Sequence, residues 1–418
     1  MTKITATDTP SPLARPLAGR ILPLVGVVLL GISLRHAVTG ISPLLAAVNA
    51  DIALGTAGST VLGMLPTIAF GIAGFITPTI MRFTGLAQVA VLAMALGALG
   101  TVVRVFAHGP VVFLVFGAIA LFGMGMGNVA GPPLVKRYFP DRQGTMMSVL
   151  VLMMQGGATI PAMLAVPVAN VAGWRVAVGA WALLMIFAAM PWLGTIVNDR
   201  GDHAEQAITA HPAPTSFGIS KLIRNPVSIG AALFYGMAAL NTYAMLAWMP
   251  TIFASLGMSR GQAATMYGIY TFLTLPMALI SPIIADKLKN PFPFAALLSV
   301  VAAIGYMGII FAPLSTAALW TFVAGIGGGA FPFAMTMFNR RTRTTQGSAA
   351  VTGFGMGCGY AFGTVGPLLG GLLSSLTGGW SVPLIVLTLT SIPMVIGAIL
   401  LTRNWTFEDL GTVPAQKV

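Results

Sequence analysis

The sequence predicts an all-α integral membrane protein with twelve transmembrane helices in two pseudo-symmetric six-helix bundles. Of its 418 residues, 56% are hydrophobic and only 7% are charged, whereas about a quarter of the residues of a soluble protein are charged. The apolar residues form blocks of about 20 residues or more, the length that a helix needs to cross a bilayer. Lys and Arg are concentrated in alternate loops between these blocks, which is the pattern of a membrane protein with a fixed orientation.

Polar, glycine and proline residues divide the chain into twelve predicted spans. The spans are 21–46, 57–81, 87–107, 111–135, 145–169, 174–197, 227–254, 262–285, 293–313, 316–338, 348–376 and 380–402. Residues 1–20 form a polar tail rather than a cleavable signal, because the apolar run that follows is too long for one. The longest polar stretch, 198–225, separates the halves. We expect bundles over 21–197 and 226–402, a linker over 198–225, and a second tail over 403–418.

The distribution of Lys and Arg predicts the orientation. With a cytosolic amino terminus, seventeen of the 21 lie in cytosolic segments, and the opposite side receives only Arg104, Arg175 and Arg260. We therefore expect a multi-pass protein of the bacterial cytoplasmic (inner) membrane with both termini in the cytosol. The net charge of +12 is spread over many loops, so we expect the lipid bilayer, and not a nucleic acid, as its partner. Arg104 is near the outer end of its span and is predicted to reach water.

The two halves repeat one another. Gly123, Gly125 and Gly127 correspond to Gly325, Gly327 and Gly329, and in each half a proline and a basic loop follow. Gln143-Gly144 matches Gln346-Gly347, and Gly173-Trp174 matches Gly379-Trp380, with offsets between 200 and 207 residues. A duplicated six-helix unit is typical of secondary transporters, in which the substrate binds between the repeats near the middle of the bilayer.

Several segments resemble a known family. Twelve spans with a basic central linker resemble the major facilitator superfamily. More specifically, Leu34-Arg35-His36 leading to Ser42-Pro43-Leu44-Leu45 is similar to the first span of its cyanate permease and nitroimidazole transporter family. Further matches are Lys136 to Pro140, Trp248-Met249-Pro250, Gly257-Met258-Ser259, Gly359-Tyr360, Gly366-Pro367 and Gly378-Gly379-Trp380. His36 replaces the family's usual proline and Met356 lies where a glutamine is common, so the substrates of these relatives are not transferred directly.

Arg35 is the main candidate for substrate binding, because it lies about midway along the first span. A charge at this depth is costly and usually faces a cavity, a partner or a substrate. All nine Asp and Glu residues fall in loops, tails or span ends, so no buried carboxylate is available to pair with Arg35. An unpaired guanidinium would attract an anion and bind it through its planar fork. The alternative is that Arg35 holds helix-end carbonyls and joins the two halves.

Other polar residues are predicted at similar depth. His36 is a candidate for a coupling proton, although a lone membrane histidine is more often a packing residue. The resemblance places the remaining candidates on helices that line the central cavity, where they would orient a ligand or join helices. These candidate substrate-binding residues are Gln155, Asn241, Tyr243, Tyr267, Tyr270 and Tyr360.

The sequence therefore predicts a secondary transporter of a small, anionic organic or inorganic solute, working by alternating access and without a cofactor. The resemblance implies that it is a monomer. The alternative is efflux of neutral or weakly basic drugs such as nitroimidazoles, as the resemblance implies. An enzyme is disfavoured, because the only cysteine, Cys358, and His36 lie in different halves and no nucleophile and base share a depth. A channel is disfavoured because alternating access explains the internal repeat better.

Overall fold

The computed structural model describes residues 20–206 and 217–409, and the regular secondary structure within these ranges is helical. Eleven segments of the described chain are long and apolar enough to cross a membrane. One of them, Gln143–Asp199, has 57 residues and would be about 85 Å long as one straight helix. The backbone turns within it at Gly173, where φ is 82°, so this segment supplies two crossings. The predicted fold class is confirmed.

The helices follow one another along the chain with short connections. The first half contains α1 (Ile21–Ser33), α2 (His36–Thr39), α3 (Leu45–Ile52), α4 (Gly55–Thr84), α5 (Leu86–Val105), α6 (Pro110–Tyr138), α7 (Gln143–Gly179) and α8 (Trp181–Gln206). The second half contains α9 (Ile219–Arg224), α10 (Pro226–Ser255), α11 (Arg260–Phe272), α12 (Thr274–Lys287), α13 (Phe292–Phe311), α14 (Ala317–Ile326), α15 (Ala330–Arg340), α16 (Thr345–Thr377), α17 (Ser381–Leu389) and α18 (Ser391–Thr402).

The first predicted span is broken in the middle. Helix α1 ends at Ser33 and α2 begins at His36, and Arg35 between them has φ of −133° and ψ of −8°, outside the helical region. A 3-10 turn at Ser42–Leu44 then leads into α3. Irregular backbone at membrane depth occurs where it is enclosed by protein or lines a cavity. The break therefore places Arg35 on irregular backbone within the membrane-spanning part of the chain.

Glycine pairs bring the two halves into close contact. A Cβ atom added to Gly74 of α4 would lie 2.5 Å from the Cα of Gly357 in α16, which is closer than any side chain permits. A Cβ atom added to Gly353 would similarly lie 2.5 Å from the carbonyl oxygen of Gly74. Small residues on both helices thus allow the backbones to touch, as in other membrane helix pairs.

Hydrogen bonds close the bundle at the end where α4, α6 and α12 terminate, which we name the basic-loop end. The side-chain nitrogen of Asn339 in α15 donates to the carbonyl of Pro132 in α6 at 2.8 Å. The Ser148 hydroxyl of α7 donates to the carbonyl of Leu279 in α12 at 3.2 Å. The first and second halves are therefore tied together at this end.

The opposite end is more open. Gly63 lies eleven residues before Gly74 and so lies on nearly the same face of α4, but a Cβ atom added there would meet no described atom within 4 Å. Leu368 lies eleven residues after Gly357 on α16, and 56% of its surface is exposed. Gly63 and Leu368 therefore do not continue the contact between Gly74 and Gly357, and we name the space beside them the groove.

A candidate central binding site

Arg35 occupies the break between α1 and α2. The residue is half-buried, and its Nε atom is buried without a hydrogen-bond partner among the described residues. None of the ion pairs that the described part of the chain contains includes Arg35. The guanidinium therefore keeps donor capacity for a ligand, because its five N–H groups can only donate.

Tyrosines of the second half surround the Arg35 charge. Arg35 interacts electrostatically with the phenol groups of Tyr235 and Tyr243 on α10. The Tyr235 hydroxyl donates to the hydroxyl oxygen of Tyr360 on α16, with 3.4 Å between the two oxygens. The rings of Tyr243 and Tyr360 are 6.4 Å apart. One guanidinium from the first half thus lies near two phenols of the second, and a third, Tyr360, contacts both of these.

Aromatic packing fixes the orientation of these phenols. Phe70 of α4 packs edge-on against Tyr360 with 5.1 Å between ring centroids, and Phe331 packs edge-on against Tyr235 at 4.9 Å. Gly359 and Gly363 of α16 leave the room that the tyrosines need, since added Cβ atoms would lie 2.2 Å from the Tyr235 ring and 2.9 Å from the Tyr243 ring. We name Arg35, Tyr235, Tyr243, Tyr360 and Phe70 the central cluster.

Gln155 connects the two halves at similar depth. Its side-chain nitrogen donates to the hydroxyl of Thr274 at 2.8 Å. Thr274 begins α12, directly after the interruption at Leu273 that separates it from α11. The contact places Gln155 on the face of α7 that points to the other half, where its amide is engaged with protein.

Three further predicted site residues lie on α10 and α11. The Asn241 amide donates to the Thr390 hydroxyl at 2.7 Å and so joins α10 to the α17–α18 junction. Tyr270 is buried within hydrogen-bond reach of Thr242 and Tyr306. Tyr267, one turn earlier, is half-buried. The contacts of Asn241 and Tyr270 therefore lie within the second half.

His36 points away from Arg35. Its Nδ1 atom donates to the carbonyl of Ser33 at 3.1 Å, because a carbonyl can only accept. Its ring stacks on Trp181 of α8 with 5.9 Å between centroids. Only 2% of the residue is exposed. The helix break thus sends two adjacent side chains to different places, Arg35 toward the second half and His36 into the first bundle.

The prediction that Arg104 reaches water is wrong. Arg104 is 1% exposed, and its three side-chain nitrogens are buried without hydrogen-bond partners among the described residues. Its guanidinium carbon lies 4.6 Å from the centroid of the Phe113 ring. The position near the end of α5 suggested exposure, but α6 and α8 pack over that end and enclose the side chain.

Two residues of this region were not singled out from the sequence. Tyr235 lies eight residues before Tyr243, which is close to two helical turns and hence the same side of α10; this spacing was the available signal. Asn128 of α6 is 1% exposed, and both polar atoms of its amide are buried without a partner among the described residues. Its position in the chain, nearer the basic-loop end than Arg35, makes it a weaker candidate from the sequence alone.

The chemistry of the central cluster favours electron-rich ligands. Its polar groups are a guanidinium and phenol hydroxyls, which donate hydrogen bonds, and it contains no carboxylate. Its aromatic rings offer flat surfaces to a small ligand. No group of three or more His, Cys, Asp or Glu side chains within the described ranges is placed to share a metal ion.

Comparison with known proteins identifies the relatives of the chain. The model of the Major Facilitator Superfamily matches residues 25–324. The chain is 29% identical over 381 residues to a 2-nitroimidazole transporter of Escherichia coli, covering 90% of this chain and 94% of that protein. It is 22% identical over 363 residues to the cyanate transport protein CynX of Escherichia coli, covering 85% and 91%.

Solved structures have the same fold. The proton:xylose symporter XylE superposes with a TM-score of 0.70 at 14% identity, covering 94% of this chain and 97% of that one. The Escherichia coli fucose:proton symporter FucP superposes with a TM-score of 0.69, also at 14% identity, covering 93% and 100%. At this identity the likeness extends to the helical architecture alone.

Proposed function

Because the chain belongs to the Major Facilitator Superfamily of membrane transporters, we propose that it moves a small anionic solute across the bacterial cytoplasmic membrane, with Arg35 binding the negative group. Its family and its relatives are transporters and not enzymes, and so is this chain. The proposal concerns which solute it carries, where that solute binds and how the chain is oriented.

The observation that carries the proposal is Arg35 itself. Its guanidinium lies about midway along the first span, has no carboxylate partner in the described chain, and faces the phenols of Tyr235 and Tyr243. A charge that is kept at this depth usually serves a substrate or a partner. A carboxylate or cyanate-like anion would complete the site, because it accepts from the guanidinium fork and from phenol hydroxyls at once.

The geometry between the halves supports alternating access. With the basic-loop end in the cytosol, as the positive-inside rule requires, the closed end faces inward and the groove beside Gly63 and Leu368 opens outward. A solute entering this groove reaches the central cluster before it meets the closed contacts. The carrier works as a monomer with both termini cytosolic, and His36 is the candidate for a coupling proton.

The test is transport by purified protein in liposomes. Wild-type protein should exchange a radiolabelled small carboxylate or cyanate across the membrane, and Arg35→Gln should lose this exchange because it removes the charge and the fork. Arg82→Gln is the matched control, since Arg82 is exposed at the end of α4. Undiminished exchange in Arg35→Gln, with normal insertion, would overturn the assignment of the site.

Efflux of a flat nitroaromatic compound is the second candidate, because the aromatic rings of the central cluster favour it. Phe70, Tyr235 and Tyr243 all lie within 6.4 Å of the Tyr360 ring, and a relative that is 29% identical is a 2-nitroimidazole transporter. A nitro group also accepts hydrogen bonds without carrying net charge. Transport of 2-nitroimidazole that survives in Arg35→Gln, while carboxylates fail to compete, would favour this candidate.

A further inference from the structure

We propose that the first bundle holds a second anion site, separate from the central cluster, in which Arg104 binds a halide-sized anion. The site consists of the Arg104 guanidinium and the Thr101 hydroxyl, with His36, Trp181 and Phe113 as its walls. It does not depend on which solute the central cluster carries.

Arg104 is the first observation. The side chain is 1% exposed, and Nε, Nη1 and Nη2 are all buried without hydrogen-bond partners among the described residues. A cation taken out of water costs several kcal/mol unless an opposite charge and hydrogen bonds compensate it. The contact with the Phe113 ring at 4.6 Å offsets only part of this desolvation free energy. No described Asp or Glu pairs with Arg104.

Two more orphaned polar atoms lie around the guanidinium. Thr101 is one helical turn before Arg104 on α5, is fully buried, and its hydroxyl has no partner among the described residues. His36 interacts electrostatically with Arg104, and its Nε2 atom is buried without a partner as well. Since Nδ1 of His36 donates to the Ser33 carbonyl, the ring is held in place as a wall. Arg104 and Thr101 are three residues apart on α5, so their unpaired donors lie on the same face of that helix, within the buried part of the first bundle.

The size and charge of the ligand follow from this enclosure. The polar atoms of Arg104 and Thr101 each expose less than 1 Å², so an organic solute of substrate size does not fit without rearrangement. Arg104 and Thr101 supply donors, and Arg104 a positive charge, so the matching ligand is a small monovalent anion. Chloride and bromide meet both requirements.

The site adjoins the structural break that carries Arg35. His36 and Arg35 are consecutive residues in the α1–α2 break and point to opposite sides. An anion beside Arg104 would offset the positive charge behind this break and stabilise the conformation in which Arg35 faces the tyrosines. The second site would thus hold the first bundle in its transport-competent form.

The experiment measures the apparent melting temperature of the full-length protein in detergent. Sodium chloride and sodium bromide are compared with sodium gluconate at equal ionic strength, since gluconate is too large for the enclosed region. Halides should raise the melting temperature of the wild type in a concentration-dependent way, as mass action requires. The same shift should persist in Arg35→Gln, which separates this site from the central cluster.

Two variants test the assignment. Arg104→Met replaces the cation by an unbranched apolar chain, so the halide shift should vanish while stability in gluconate is kept or increased. Thr101→Val removes the hydroxyl at nearly constant volume, so the halide concentration that gives half of the shift should rise severalfold. A wild type that melts at the same temperature in all three salts, or a full halide shift in Thr101→Val or Arg104→Met, would overturn the proposal.

Discussion

The ammonium group of Lys136 in α6 donates a 2.7 Å hydrogen bond to the backbone carbonyl of Asn339 in α15. It also donates to the Thr342 hydroxyl at 2.8 Å and contacts the Thr342 carbonyl. The carbonyls at a helix carboxyl end lack partners within the helix and carry partial negative charge. A single lysine of the first half therefore caps a helix end of the second half and stabilises the closed basic-loop end.

Lys136→Met should shift the conformational equilibrium toward an open basic-loop end. Hydrogen bonds to charged groups contribute about 1.5–3 kcal/mol each, so the open form should become roughly tenfold more populated or more. The measurement is the rate of thiol labelling at Ser148→Cys, which lies in the closed interface, in protein whose only native cysteine, Cys358, is replaced by alanine. Lys289→Met, at an exposed loop position, is the control. Equal labelling rates in all three proteins would contradict the prediction.

Gly74→Ala should also open the basic-loop end and lower thermal stability. The added methyl group would lie 2.5 Å from the Gly357 Cα atom, so α4 and α16 must separate, and overpacking of this kind typically costs about 1–3 kcal/mol. The melting temperature and the same thiol labelling report the change. Gly63→Ala is a matched control on the same face of α4, where the methyl group meets no described atom within 4 Å. A larger effect of Gly63→Ala than of Gly74→Ala would show that this contact does not close the bundle.

Tyr235→Phe and Tyr360→Phe should weaken substrate binding without unfolding the protein. The two hydroxyls are 3.4 Å apart, so removing either one deprives the ligand and the other phenol of a hydrogen-bonding group, at a cost of about 0.5–1.5 kcal/mol. The double variant should lose less than the sum of the single variants, because the residues interact directly. Substrate affinity from thermal shift or equilibrium binding gives the four values of the cycle. If the losses in binding free energy of the two single variants simply add in the double variant, the two hydroxyls do not interact and the prediction is wrong.

Asp51→Asn should destabilise the protein at neutral pH and much less at acidic pH. The Trp174 indole N–H, at 2.9 Å, and the Arg175 guanidinium hold the pKa of the Asp51 carboxyl below its ordinary value. Because the pKa is lower in the folded protein, the ionised carboxylate stabilises the fold above about pH 3.9, the pKa in the unfolded chain. This stabilisation is lost as the pH falls through the pKa of the folded protein. Melting temperatures of wild type and variant at pH 7 and at about pH 2, well below the unfolded value, test this. A constant difference between the two proteins at both pH values would argue against the ion pair.

The helical architecture could be predicted because the bilayer leaves few alternatives. The apolar run predicted at 293–313 is α13, which spans Phe292–Phe311, and the run at 87–107 is α5, Leu86–Val105. Every backbone polar group in lipid must be satisfied within the protein, so a long apolar block becomes a helix. The concentration of Lys and Arg in alternate loops predicts the orientation in the membrane that we propose.

The central cluster was harder to predict for a physical reason. Membrane spans are apolar on all sides, so hydrophobic periodicity does not indicate which face of α10 or α1 points to the other half. The depth of Arg35 could be read from its position in the chain, whereas the break that separates it from His36 depends on tertiary packing. The enclosure of Arg104 against Phe113 could not be predicted from sequence position for the same reason.

The contact between Gly74 and Gly357 also has a mechanical consequence. Backbone atoms meet there and little can be compressed, so a rotation of one half against the other would turn about this contact. Gly63 lies eleven residues along α4, about 16 Å from this point, so a rotation about the contact moves Gly63 much more than it moves Gly74. Rotation of one half by about 15° around this contact would displace Gly63 by roughly 4 Å. If the two halves alternate as we propose, a modest tilt is therefore enough to close the groove beside Gly63.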